Sequence, residues 1–146
     1  MRQPGSSVLQ FTQLLSATPR GARLARLLAV EQLVEWGWTR DAERTDVAAL
    51  VVAELAANAV NHGWLPGRGF RVSLVLEPER LRIEVTDPRG DWFPAVAEAA
   101  DEDEGGQGLV LVATLAAEWG VRPHPPSGKT VWADIALGGL QARTPL

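Results

Sequence analysis

The stretch ELAANAVNHG, Glu54 to Gly63, closes a longer run, Asp46 to His62, that reads as one helix. The run holds no proline, is rich in alanine and carries apolar residues throughout. At 3.6 residues per turn, Val52, Leu55, Ala56, Ala59 and Val60 cover one broad side. Val47, Leu50 and Val51 cover much of the rest, so the helix is expected to be buried almost all round. One polar line crosses that apolar cylinder: Glu54, Asn58 and Asn61 at i, i+4 and i+7, within roughly 60° of one another. A carboxylate and an amide one turn apart on a buried helix are costly unless something hydrogen-bonds them. Two arrangements meet that need. One is a satisfied internal network, or a helix face that reaches solvent. The other is the wall of a pocket, in which Asn58 offers a hard oxygen to Mg²⁺ and Glu54 is placed to take a proton.

Composition narrows the class. A length of 146 residues suits one domain with a sizeable core, and 46% hydrophobic against 22% charged residues is ordinary for a globular protein. The formal net charge is −4 and basic residues occur as isolated arginines, which disfavours nucleic acid as a partner. The absence of cysteine excludes disulfides, zinc–thiolate sites and thiol catalysis, and two histidines exclude a histidine-rich metal site. With no long apolar run and no signal-peptide pattern, the expectation is a cytoplasmic protein with no membrane partner.

Outward from the central helix the chain divides into a loose terminus over residues 1–7, a domain over 8–137 and a disordered tail over 138–146. Val8 to Leu15 alternates in part and predicts a strand. Thr18 and Pro19 open a helix from Arg20 to about Trp36, ended by Gly37. Thr45 is the expected cap of the central helix and Gly63 its stop. Phe70–Leu76 and Leu81–Val85 alternate around the turn Glu77–Arg80 and predict a β-hairpin. Pro94–Ala100 suits a short helix, and Asp101–Glu104 an acidic lid before Gly105–Gly106–Gln107–Gly108. Leu109–Ala117 reads as a helix opened by those glycines, Glu118–Val121 as a short strand, and Thr130–Leu137 as the last strand, with Val131, Ala133, Ile135 and Leu137 on one side. The expected fold class is α+β, a two-layer sandwich whose mixed, largely antiparallel sheet is covered on one face by helices.

Two phosphate motifs are decoys. Gly128–Lys129–Thr130 echoes the end of a P-loop, but Pro123 holds the leading glycine position and a strand follows. Gly106–Gln107–Gly108 starts like a dinucleotide fingerprint, but Leu111 fills the third glycine site. What remains is a glycine-flanked helix start, either an anion site built from free N–H groups or only a flexible connection. Asp87, just past a buried strand, begins the turn-forming sequence Asp-Pro-x-Gly.

Taken together and in this order, ELAANAVNHG, the glycine stretch GGQGLVLV (Gly105 to Val112) and the closing strand GKTVWADI (Gly128 to Ile135) resemble the ATP-binding fold shared by DNA gyrase, Hsp90, MutL and histidine kinases. Within that group they are most similar to the anti-sigma-factor serine kinases and their small actinobacterial relatives. The resemblance covers about Phe11 to Leu137. It implies ATP and Mg²⁺ as cofactors, Asn58 as the Mg²⁺ ligand, and Glu54 as general base or water-orienting group. It implies Asp87 as acceptor of the adenine amino group, Thr130 in support of the adenine, and the backbone around Gly106, Gly108 and Leu109 against the phosphates. Implied partners are a sigma factor and an anti-sigma-factor antagonist, whose serine or threonine would take the γ-phosphoryl group; a homodimer stays open. The wider superfamily's first glycine box reads Asp-x-Gly-x-Gly. Here it is Asp87–Pro88–Arg89–Gly90–Asp91, with both glycines replaced. That departure favours an alternative, a non-catalytic module whose partner-binding surface is set by nucleotide. A detached histidine-kinase catalytic domain is disfavoured, because the chain has no helical hairpin carrying a phosphoacceptor histidine.

Overall fold

The computed structural model describes residues 8–91 and 104–137, with the side chains of 104–108 excepted. The expected terminus (1–7), tail (138–146), short helix Pro94–Ala100 and most of the acidic lid lie outside the described residues.

Strand β1 (Leu9–Leu15) leads into helices α1 (Pro19–Glu35) and α2 (Glu43–His62). The hairpin β2 (Phe70–Leu76) and β3 (Arg80–Asp87) follows, then helix α3 (Glu104–Leu115) and strands β4 (Glu118–His124) and β5 (Gly128–Ala136). The sheet order is β1-β2-β3-β5-β4. Every pairing is antiparallel, so the expected sandwich stands while the expected parallel component is not found among the described residues.

Helix α2 organises the molecule. It packs on β2, β3 and β5 below and on α1 and α3 at its sides. Val51, Val52, Leu55, Ala56 and Ala59 enter one apolar cluster with Phe70, Val72, Leu74, Leu81, Ile83 and Val85 of the hairpin and with Val131, Ala133 and Ile135 of β5. Each of these larger side chains contributes roughly 1.5–3 kcal/mol on full burial. Period-2 alternation fixes the register: inward residues of β3 pair with inward residues of β5, Ile83 with Ala133 and Val85 with Val131.

Several boundaries differ from expectation, each for a local reason. The Thr18 hydroxyl accepts from the Gly21 N–H at 3.0 Å, the expected cap of α1. Thr45 is not the cap of α2. It lies inside the helix, buried, and donates its hydroxyl to the Thr39 carbonyl at 2.7 Å. The helix starts a turn earlier on Ala42, with the Glu43 and Asp46 carboxylates in its first turn suiting the dipole. Helix α3 begins at Glu104, ahead of the glycines, so Gly105, Gly106 and Gly108 lie within its first turns rather than before them. Strand β4 continues to His124 because its ladder with β5 persists through Pro123 opposite Lys129.

Candidate functional site

Along α2 the polar line splits by environment. Glu54 is half-buried, Asn58 is buried and Asn61 is exposed. Asn58 Oδ1 is the one buried side-chain oxygen or nitrogen without a hydrogen-bond partner among the described residues. Burying a carbonyl oxygen without a partner costs about 1–3 kcal/mol. Such an atom calls for a donor or a hard cation, and an amide oxygen suits Mg²⁺. The internal-network alternative is therefore disfavoured for Asn58.

Asp87 ends β3 on the helix-facing side of the sheet, after the inward residues Leu81, Ile83 and Val85. Its carboxylate is buried and held from two directions. Lys129 Nζ, fully buried on β5, lies 3.0 Å from both oxygens. The Arg89 N–H donates to Oδ1 at 2.8 Å. Lys129 also donates to the Arg89 carbonyl at 2.8 Å. Burial pushes the Asp87 carboxyl above its ordinary range, against the opposing pull of Lys129 and the Arg89 N–H. Burial likewise pushes the Lys129 ammonium down, opposed by Asp87.

Gly63, the C-cap of α2, touches the other side of Asp87. A Cβ there would run into the carboxylate Cγ and Oδ2. The absence of a side chain at Gly63 thus lets the end of α2 close on Asp87. Counting 1.5 Å per residue, Asn58 lies roughly 7 Å back along the axis from Gly63 and Glu54 roughly 13 Å back. The three groups form one line, not three separate features.

The altered glycine box is a fixed turn. Gly90 donates its N–H to the Ser127 carbonyl at 2.8 Å, and its Cα sits so close to the β4–β5 turn that a Cβ would come within 2.6 Å of the Ser127 and Gly128 carbonyl oxygens. Arg89 forks onto Asp91 at 2.8 and 2.9 Å. That surface pair occupies the arginine's fork.

Thr130, expected to support the adenine, lies on the other face of β5 from Lys129. Thr130 pairs in register with Thr86, and their hydroxyls bond at 2.8 Å on the sheet face away from α2. It is not beside Asp87. Lys129 stands opposite Asp87 instead, a residue to which the P-loop comparison of Gly128–Lys129–Thr130 gives no role. Gly106 lies among the first residues of α3, where helix N–H groups lack internal partners, and Leu109 is buried.

A central helix carrying an acid–amide line, an aspartate at the end of the neighbouring strand and a glycine-rich helix start, all on one face of an antiparallel sheet, match a known domain. Residues 15–135 fit the profile of the histidine kinase-like ATPase domain. The chain belongs to the histidine kinase-like ATPase family. Membership of that family implies ATP binding. Among solved structures, the RsbU and RsbW domains of Rv1364c from Mycobacterium tuberculosis align with this ATPase-family chain at a TM-score of 0.64 and 21% identity. The alignment covers 87% of this chain and 31% of that one, and it shows a shared fold. No curated protein matches the chain in sequence. No helix among the described residues of this ATPase-family domain is long and apolar enough to cross a membrane.

Proposed function

We propose that this ATPase-family domain is a cytoplasmic regulator of the anti-sigma-factor kinase type, which transfers the γ-phosphoryl group of ATP to a serine or threonine of a small antagonist protein. The supporting observation is the line along α2: Asp87 at its Gly63 end, the unpaired Asn58 Oδ1 in the middle, and Glu54 one turn further. In this reading the adenine amine donates to Asp87 Oδ2, which keeps lone-pair capacity beyond its contact with Lys129. Asn58 holds Mg²⁺, whose charge offsets that of the phosphates. The antagonist hydroxyl attacks the γ-phosphorus, its oxygen–phosphorus bond forms as the bond to the β–γ bridging oxygen breaks, and ADP leaves. The hydroxyl proton passes to the Glu54 carboxylate, which makes no ion pair among the described residues. Once phosphorylated, the antagonist no longer binds, and the kinase returns to sequestering its sigma factor.

One observation favours a second reading. Asp87 is already bonded to Lys129 and the Arg89 N–H, so nucleotide meets a partly satisfied acceptor. A non-catalytic module with nucleotide-set partner binding tolerates the weaker affinity that follows. The test is nucleotide titration with and without Mg²⁺, then label transfer from γ-labelled ATP to an antagonist that the protein binds. Transfer supports the kinase. Mg²⁺-dependent binding with no transfer to any bound partner supports the module.

A further inference from the structure

The second face of the sheet carries a cavity that the nucleotide line does not use. It has a volume of about 450 Å³ and opens where β1, β2 and the β4–β5 turn meet, lined among others by Leu14, Arg68, Arg71, Thr86, His124 and Ser127. Arg71 pairs in register with Leu14 on one side and Thr86 on the other, which fixes it on the face away from α2.

The charge arrangement there is one-sided. Elsewhere on this face the arginines meet carboxylates: Arg82 forks onto Asp134 at 2.7 and 2.8 Å, Arg80 reaches Asp134 at 3.3 Å, and Arg122 reaches Glu84 at 3.1 Å. Arg71 instead donates to His124 Nε2 across a long 3.4 Å, a guanidinium against a ring nitrogen with no carboxylate between them. The Arg68 backbone N–H donates to the Leu65 carbonyl at 3.1 Å, but its guanidinium has no hydrogen-bond or ion-pair partner among the described residues. Asp87, the acid among the described lining residues, has its carboxylate committed to Lys129 on the opposite face. Two guanidinium groups and an imidazole thus converge on one cavity with no free carboxylate facing them among the described residues. The Arg71–His124 contact is long enough for an entering oxyanion to displace it. Part of the remaining wall is apolar: Leu14, which is 67% exposed, and Pro125 and Pro126. The volume exceeds what a bare phosphate fills and falls in the range of small-ligand pockets.

We propose that this cavity is a second, nucleotide-independent anion site that takes a small phosphate monoester. The phosphate sits between Arg68, Arg71 and His124, with the Ser127 hydroxyl as a further donor, and the organic group lies against Leu14 and the two prolines. The shared chemistry, a phosphate dianion, can come from a monoester or from free phosphate.

The test is titration of the full chain with phenyl phosphate, inorganic phosphate and phenol, read by calorimetry and by the ring resonances of His124. His62, the only other histidine, lies on α2 and serves as the internal reference. The expected result is a saturable shift of His124 without a matching shift of His62, produced by phenyl phosphate and not by phenol. Tighter binding of phenyl phosphate than of phosphate identifies the monoester; equal binding identifies free phosphate as the natural occupant. Arg71→Met should weaken binding about tenfold or more, as for a lost charge-assisted bond. Arg68→Gln, at an exposed position, should weaken it in the same direction without strain on the sheet. Saturating Mg·ATP should leave the titration unchanged. The absence of a saturable His124 shift, competition by Mg·ATP, or unaltered affinity in both arginine variants overturns the proposal.

Discussion

Replacing Lys129 by methionine removes the positive half of the buried Asp87–Lys129 pair while keeping most of the side chain's volume. At 3.0 Å, two unit charges attract by about 5 kcal/mol at an effective dielectric constant near 20. Removing both ions from water costs several kcal/mol each, so the net contribution of the intact pair lies near zero. Breaking it is a different matter. Lys129→Met leaves a buried carboxylate with only the Arg89 N–H, and such losses run about 3–5 kcal/mol. For a domain whose total stability is about 5–15 kcal/mol, that is a large share.

The sign of the pH dependence follows from the direction of each shift. Asp87 already lies above its ordinary range, and without Lys129 it rises further. A carboxyl raised in the folded state stabilises fully below its unfolded pKa and loses that contribution as pH rises through its folded pKa. Lys129→Met should therefore be least stable near neutrality and recover as the pH falls toward about 4. Asp87→Asn should slope the other way. Lys129 is depressed in the folded state, so that variant recovers as pH rises through the alkaline range. The double variant Asp87→Asn/Lys129→Met, with no buried charge left, should return to within about 1 kcal/mol of wild type or exceed it. Urea unfolding midpoints from pH 4.5 to 9.5 measure all three. A neutral Lys129→Met variant with a flat pH profile would falsify the buried pair.

Glu54→Gln keeps size and hydrogen-bonding shape but removes the base, so ATP affinity should survive while phosphoryl transfer falls by roughly 10²–10⁴-fold; transfer at the wild-type rate excludes Glu54 as base. Asn58→Ala should abolish the Mg²⁺-dependent increment of nucleotide binding, seen as calorimetric titrations that no longer differ with and without the metal. Because it deletes a buried, unpaired acceptor, it should not lower the stability of the nucleotide-free protein by more than about 1 kcal/mol. Gly63→Ala pushes a methyl into the Asp87 carboxylate, which Lys129 and the Arg89 N–H hold in place. It should cost about 1–3 kcal/mol in urea unfolding and weaken ATP binding together with it; an unchanged midpoint means that Asp87 can move aside.

The architecture was legible because period and composition agree over long elements. Helix α2 is apolar on nearly every side, and the hairpin alternates without a break from Phe70 to Val85 except at its turn. The boundaries that shifted lie where one side chain had two uses, as with Thr45, whose hydroxyl serves the Thr39 carbonyl instead of a helix end. Lys129 is the instructive miss, since the alternation that correctly placed Val131, Ala133 and Ile135 inward also places Lys129 inward and Thr130 outward. Carrying that period two residues back toward Gly128 would have found a buried lysine facing Asp87. The chemistry of lysine argued against it, because an ammonium is almost never fully buried unless paired. Its partner was in plain view as the last inward residue of β3, opposite Lys129 in the register. A charged residue on the apolar phase of a strand is thus best read as half of a pair, with its other half sought at the matching position of the neighbouring strand.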